Sequence, residues 1–160
     1  MKVKDVMMRT AARCHPDTNL GAAVEMMWTR NCGILPVVDA EDKLVGVITD
    51  RDICIALGTR NLLAGDVAVK DVASAHVYWC KSDDDVRSAL QVMAASKIRR
   101  LPVVSSTGVL EGILSMDDVV LHTEAGGQPC ELPAEKVVKT LQSVYSSGLP
   151  QLAEKKFAVA

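Results

Sequence analysis

Two places in the chain end an apolar run in a hydroxyl with a carboxylate three residues later: Thr49 with Asp52 in "GVITDRD", and Ser115 with Asp118 in "GILSMDD". At a helix start, such a hydroxyl and the free backbone amides can meet a phosphate or ribose oxygen, while the carboxylate accepts hydrogen bonds from vicinal ribose hydroxyls. The same spacing is also a helix-capping signature that needs no ligand. Cations that could serve an anionic ligand are Arg51 inside the first motif and Arg99 and Arg100 in "KIRR", the one locally basic run. Guanidiniums make charge-assisted, potentially bidentate bonds to phosphate, and ion pairing at the surface is their alternative use.

Other chemistries find little support. There is no GxxxxGK[ST] loop, GxGxxG turn or GxSxG elbow, so enzymatic activity is not expected. His15 precedes "PDT", which has a sufficient explanation as a helix entry. The five cysteines contain no CxxC pair and the three histidines lack metal-ligand spacing, so reduced thiols and no metal are expected.

The elements that position these motifs follow from a duplication. Shifting the chain by 66 residues superposes "VKDV" at 3–6 on 69–72, "LPVV" at 35–38 on 101–104, Cys14 on Cys80, Met27 on Met93 and Gly46 on Gly112, without a gap. Each copy carries an amphipathic helix (Leu20, Ala23, Val24, Met27; Val86, Ala89, Leu90, Met93), with Asp17 and Thr18, or Asp83 and Asp84, expected at its start. A hairpin follows ("ILPVVD" and "KLVGVIT"; "LPVV" and "VLEGILS"), then a second helix, and "AARC" and "HVYWC" read as a strand before the first helix. Units this small bury little surface alone, so the copies are expected to pack about a pseudo-twofold axis with function in the cleft between them. Beyond residue 123, "EAGGQPCELP" reads as a linker and 134–147 as a helix with Val137, Val138, Leu141 and Val144 on one face.

With 160 residues, 49% apolar content and a net charge of -2, the chain has ample core material and no basic surface of the kind nucleic acid requires as a main partner. No run approaches the roughly 20 apolar residues of a membrane span and no signal peptide is evident, so membrane insertion is not expected and a cytoplasmic location is.

The order "DVM … HPDTNLGAAVEMM … GILPVVDAEDKLVGVITDRDI", followed by "KDV … KSDDDVRSALQVM … KIRRLPVV … GILSMDDVV", resembles a cystathionine beta-synthase (CBS) domain pair, or Bateman module, over about residues 1–123. The resemblance implies an α/β (α+β) fold of tandem CBS domains at 1–65 and 66–123, with a linker and helical tail at 124–160. It implies two clefts for adenosine ligands: AMP, ADP, ATP, S-adenosylmethionine or NAD(H). Thr49 and Asp52 match the ribose and phosphate motif of one site, Ser115 and Asp118 that of the other, and Arg99 and Arg100 match the family's phosphate-reaching basic residues. Adenine would lie near Ala12 and Arg13 beside Pro36 in one cleft, and near Tyr78 and Trp79 beside Pro102 in the other. Gly33 and Ile34 align with Arg99 and Arg100, and Asp50 and Arg51 with Met116 and Asp117, so the clefts should differ. The function implied is a stand-alone regulatory, energy-sensing module, a homodimer acting on a separate regulated protein; the alternative is a ligand-independent interaction scaffold.

Overall fold

The structure, a computed structural model, describes residues 1–123 and 132–146. The first copy runs α1 (Leu20–Thr29), β1 (Ile34–Val38), β2 (Leu44–Thr49) and α2 (Asp50–Arg60). The second adds a short leading strand: β3 (Cys80–Lys81), α3 (Val86–Ser96), β4 (Arg100–Val104), β5 (Leu110–Ser115) and α4 (Met116–Leu121), followed by α5 (Ala134–Tyr145). This is an α+β chain of two tandem copies.

The hairpins share one register. Ile34 faces Thr49 as Arg100 faces Ser115, and each ladder shifts at its last pair, between Val37 and Val38 or Val103 and Val104. Their buried faces carry Leu35, Val37 and Ile48, or Leu101, Val103 and Leu114, all between 0% and 2% exposed. Each such side chain removed from water contributes about 1.5–3 kcal/mol. In the second copy β3 runs parallel to β4, pairing Cys80 with Val103. The strand expected at "AARC" is reduced to one bridge, Cys14 to Val37.

Both first helices start later than their acidic leaders suggested. Asn19 caps α1 by accepting from the Ala22 amide at 2.8 Å, and Asp85 caps α3 by accepting from the Arg87 amide at 2.8 Å. Thr18 and Asp84 instead close the preceding turn, accepting from the amides of His15 at 3.1 Å and Lys81 at 2.8 Å. Asp17 and Asp83 face the lysines of the repeated "VKD": Lys70 lies 2.6 Å from Asp17, and Lys4 lies 2.8 Å from Asp83.

These pairs mark an exchange of arms. The start of each copy packs on the other copy: Val3 donates to the Asp84 carbonyl and Val69 to the Thr18 carbonyl, while Met8 pairs with Ile113 and Ser74 with Val47. Val3, Val6 and Met7 accordingly belong to the second core, and Val67 and Val69 to the first. The pseudo-twofold axis passes between the hairpin turns. There Lys43 bridges Val109, its own counterpart, through bonds from Leu44 to the Gly108 carbonyl and from Leu110 to the Asp42 carbonyl.

Hydrogen bonds from Lys4 and then Lys2 hold the exposed Asp83 carboxyl at about 2. A depressed folded-state value gives stability that is present above the unfolded value near 3.9 and lost as pH falls toward about 2. Asp83→Asn is therefore expected to flatten the fall in stability across that window at low salt, read by urea unfolding at several pH values. Superimposable slopes for the two proteins would show that the arm ion pair adds nothing.

Helix α5 packs mainly on α3 and also touches α4. Val137 and Val144 are buried as the spacing predicted, Leu141 is half-buried, but Val138 is 50% exposed. Thr140 is buried in its place and satisfies its hydroxyl on the Lys136 carbonyl at 3.0 Å. Most of the expected linker, with Cys130, and the expected helix stop at 148–150 lie outside the described residues. Cys14 and Cys80 are buried free thiols, pushed up by burial to about 11 and about 12.

Candidate functional site

Both hydroxyl–carboxylate motifs close as capping boxes. Asp52 Oδ2 accepts from the Thr49 amide at 3.0 Å and from Thr49 Oγ1 at 2.6 Å, while Oγ1 accepts from the Asp52 amide at 3.2 Å. Ser115 and Asp118 repeat the pattern at 2.8, 2.6 and 3.1 Å. Their first duty is therefore to start α2 and α4. Ser115→Ala is expected to cost about 1 kcal/mol, a normal cap loss, as a lowered urea midpoint at unchanged slope. An unchanged midpoint would remove that role.

Capping does not exclude a ligand at Thr49, because the two copies enclose a central cleft beside it. The cleft holds about 760 Å³, within the roughly 300–1,000 Å³ typical of small-molecule sites. Thr49, Asp50 and Arg51 wall it from the start of α2; Lys97, Arg99, Arg100 and Pro102 from the second copy; Tyr78 from the chain leading into β3. Ile34, Val47, Val77 and Ile98 supply apolar surface. His76 meets Tyr78 edge-on at 5.0 Å, giving a small aromatic wall. Four cations face one carboxylate, Asp50, so the cleft favours an anion. The side chains of Arg51, Lys97 and Arg100 make no hydrogen bond or ion pair among the described residues.

The sequence-derived candidates distribute unevenly. Thr49, Arg51, Tyr78, Arg99, Arg100 and Pro102 come together in this cleft, and Arg99 and Arg100 also line the groove beside Met116 and Asp117. Asp52 is half-buried behind Thr49 and is not part of the wall. Trp79 lies in a separate groove of about 460 Å³ with Leu44 and Val104. Ala12 and Arg13 line a groove against α1, where Arg13 is ion-paired with Asp42 at 3.2 Å, and Pro36 is buried with its carbonyl bound to the Cys14 amide at 3.1 Å. Near Ser115 and Asp118 the counterparts of Asp50 and Arg51 are a buried Met116 and Asp117, the latter in a groove of about 360 Å³ shared with α5. Sequence reasoning missed Lys97, His76, Val144 and Tyr145 as wall residues. Lys97 was visible in "KIRR", whereas Tyr145 lies outside the repeat and carried no signal beyond an amphipathic helix.

Two copies of this fold, exchanged at their arms and joined about a cationic cleft, define a CBS domain pair. The model of the CBS domain matches residues 3–59 and 69–123, and the chain belongs to that family. It is 37% identical over 119 residues to inosine-5'-monophosphate dehydrogenase of Methanocaldococcus jannaschii; that match takes in 74% of this chain and 23% of the dehydrogenase. The CBS domain pair of protein MJ0100, solved in complex with 5'-methylthioadenosine and S-adenosyl-L-methionine, superposes with a TM-score of 0.69 at 26% identity, over 76% of this chain and 94% of that one. CBSX2 in complex with AMP superposes with a TM-score of 0.66 at 29% identity, over 75% and 93%. No helix among the described residues is long and apolar enough to cross a membrane.

Proposed function

We propose that the chain is a regulatory module that binds one phosphorylated adenosine ligand in the central cleft and passes its occupancy to a partner. The observation that carries this reading is the convergence of Arg51, Lys97, Arg99 and Arg100 on a cleft that also offers the Thr49 hydroxyl, Tyr78 and apolar strand surface. Anion and heterocycle are thereby both provided for. Adenine would lie against Tyr78 and Pro102, the ribose near Thr49, whose hydroxyl Asp52 orients, and the phosphates among the cations. The adenosine ligands in MJ0100 and CBSX2 support the ligand class. The second copy has Met116 and Asp117 where the first has Asp50 and Arg51, which favours one ligand per chain.

Calorimetric titration of nucleotide-free protein with AMP, ADP, ATP, NAD(H) and S-adenosylmethionine tests the reading. The expected result is saturable binding of a phosphorylated member at one site per chain. Heat of dilution alone across the panel would overturn it and leave the two boxes as caps of an interaction scaffold.

The module also pairs with a second copy through α1 and α2, the helical face that α5 does not cover. Trp28 is 85% exposed there, with Val24 and Ile55 at 43% and 51%. Trp28→Glu is expected to convert a dimer to a monomer in sedimentation equilibrium. An unchanged mass would place the interface elsewhere.

A further inference from the structure

Tyr145 lies outside both copies of the repeat, yet it lines the central cleft and also the adjoining groove that holds Asp117. Arg99 donates from Nη1 to Tyr145 Oη at 3.3 Å, and its Cζ lies 5.8 Å from the centre of the ring. Helix α5 is seated by Leu132, Val137, Thr140 and Val144, all buried, whereas Tyr145, its last residue, is 64% exposed. The helix is thus fixed along its length, and its final side chain is tied to the cleft through one guanidinium.

Resting on the nucleotide reading above, we infer that Tyr145 is a selectivity residue of the cleft, holding Arg99 against an uncharged partner that a phosphate must displace and a bare nucleoside need not. A phenol oxygen is an uncharged acceptor, whereas a phosphate carries full negative charge and can accept two parallel bonds from one guanidinium, so it holds Arg99 more strongly. The phosphate therefore takes Arg99, and the loss of the tyrosine contact offsets part of the gain. Once Arg99 turns to the ligand, Tyr145 loses both its hydrogen bond and its cation–π partner, and the last turn of α5 loosens. Occupancy by a phosphorylated ligand is in this way passed to a helix that neither repeat supplies.

The test compares wild type, Tyr145→Phe and Tyr145→Ala in titrations with AMP and adenosine, together with hydrogen exchange of the amides at 142–146. AMP is expected to bind roughly three- to tenfold more tightly to Tyr145→Ala, the range one exposed hydrogen bond and cation–π contact supply, with Tyr145→Phe in between and adenosine unchanged. Exchange at 142–146 should quicken in wild type with AMP and not with adenosine. AMP affinity that is unaltered or lowered in Tyr145→Ala, or a shift of equal size for adenosine, overturns the inference while leaving the nucleotide site intact. Failure of wild type to bind either ligand overturns the nucleotide reading itself and this inference with it.

Discussion

Replacing Gly112 by alanine is expected to destabilise the protein by about 3 kcal/mol, while the same change at Gly46, its counterpart in the first copy, costs about 1 kcal/mol or less. A Cβ at Gly112 would overlap the backbone carbonyl oxygen of Met8, and it meets the Met8 carbonyl carbon at 3.2 Å and the Arg9 Cα at 3.3 Å. Backbone cannot swing aside as a flexible side chain does. The contact sits on the arm that Met8 and Ile113 pin by two hydrogen bonds of 2.9 and 3.0 Å, so relief requires breaking that bridge or moving β5. At Gly46 the nearest atom is the Ser74 carbonyl oxygen at 3.2 Å, a contact that a shift of a few tenths of an ångström relieves. Against a total stability of roughly 5–15 kcal/mol for a domain, the first loss is large. Urea unfolding of both variants measures it; equal midpoints would mean that the exchanged arms do not press on their hairpins unequally.

Arg100→Ala is expected to weaken AMP binding by roughly ten- to a hundredfold, the range for losing hydrogen bonds to a charged group, and to change adenosine binding by no more than about threefold. Arg100 is half-buried at the start of β4 and makes no hydrogen bond or ion pair through its side chain among the described residues, whereas its neighbour Arg99 is held by Tyr145. A cation kept among other cations without a counter-ion destabilises the empty protein through like-charge repulsion, and an anionic ligand relieves it. The same substitution should therefore leave the ligand-free protein as stable as wild type or slightly more so, which separates loss of a phosphate contact from damage to the fold. Calorimetry supplies the affinities and thermal unfolding the stability. Parallel losses for AMP and adenosine would strip Arg100 of its phosphate role.

Much of this architecture was legible because it is written twice. The 66-residue offset located both hairpins, both capping motifs and the pseudo-twofold axis, and apolar spacing placed Leu20, Ala23 and Met27 inward, though Val24, expected on the same face, is exposed. What the repeat could not reveal is where identical segments go. "VKDV" occurs at 3–6 and 69–72, and nothing local says that each packs on the opposite copy; that choice is tertiary. The helix leaders misled for a related reason: Asp17 and Asp83 are good capping types, but lysines brought from the exchanged arms claim them, and Asn19 and Asp85 take the caps. At the candidate site, residue types picked out Arg51, Arg99, Arg100 and Thr49, which stand in the wall of the cleft. They did not separate the two residues of "YW", of which Tyr78 lines the cleft and Trp79 a different groove, and they gave no sign of Tyr145, which arrives from a helix with no counterpart in the repeat.

The claim that the cleft between the copies is the ligand site is tested most directly by photolabelling with 8-azido-AMP and mapping the modified peptides. The expected result is label on the segments carrying Ile34, Tyr78 or Pro102, abolished by excess AMP and by Arg100→Ala. Label confined to the groove of Ala12 and Arg13, or insensitive to AMP, would contradict it.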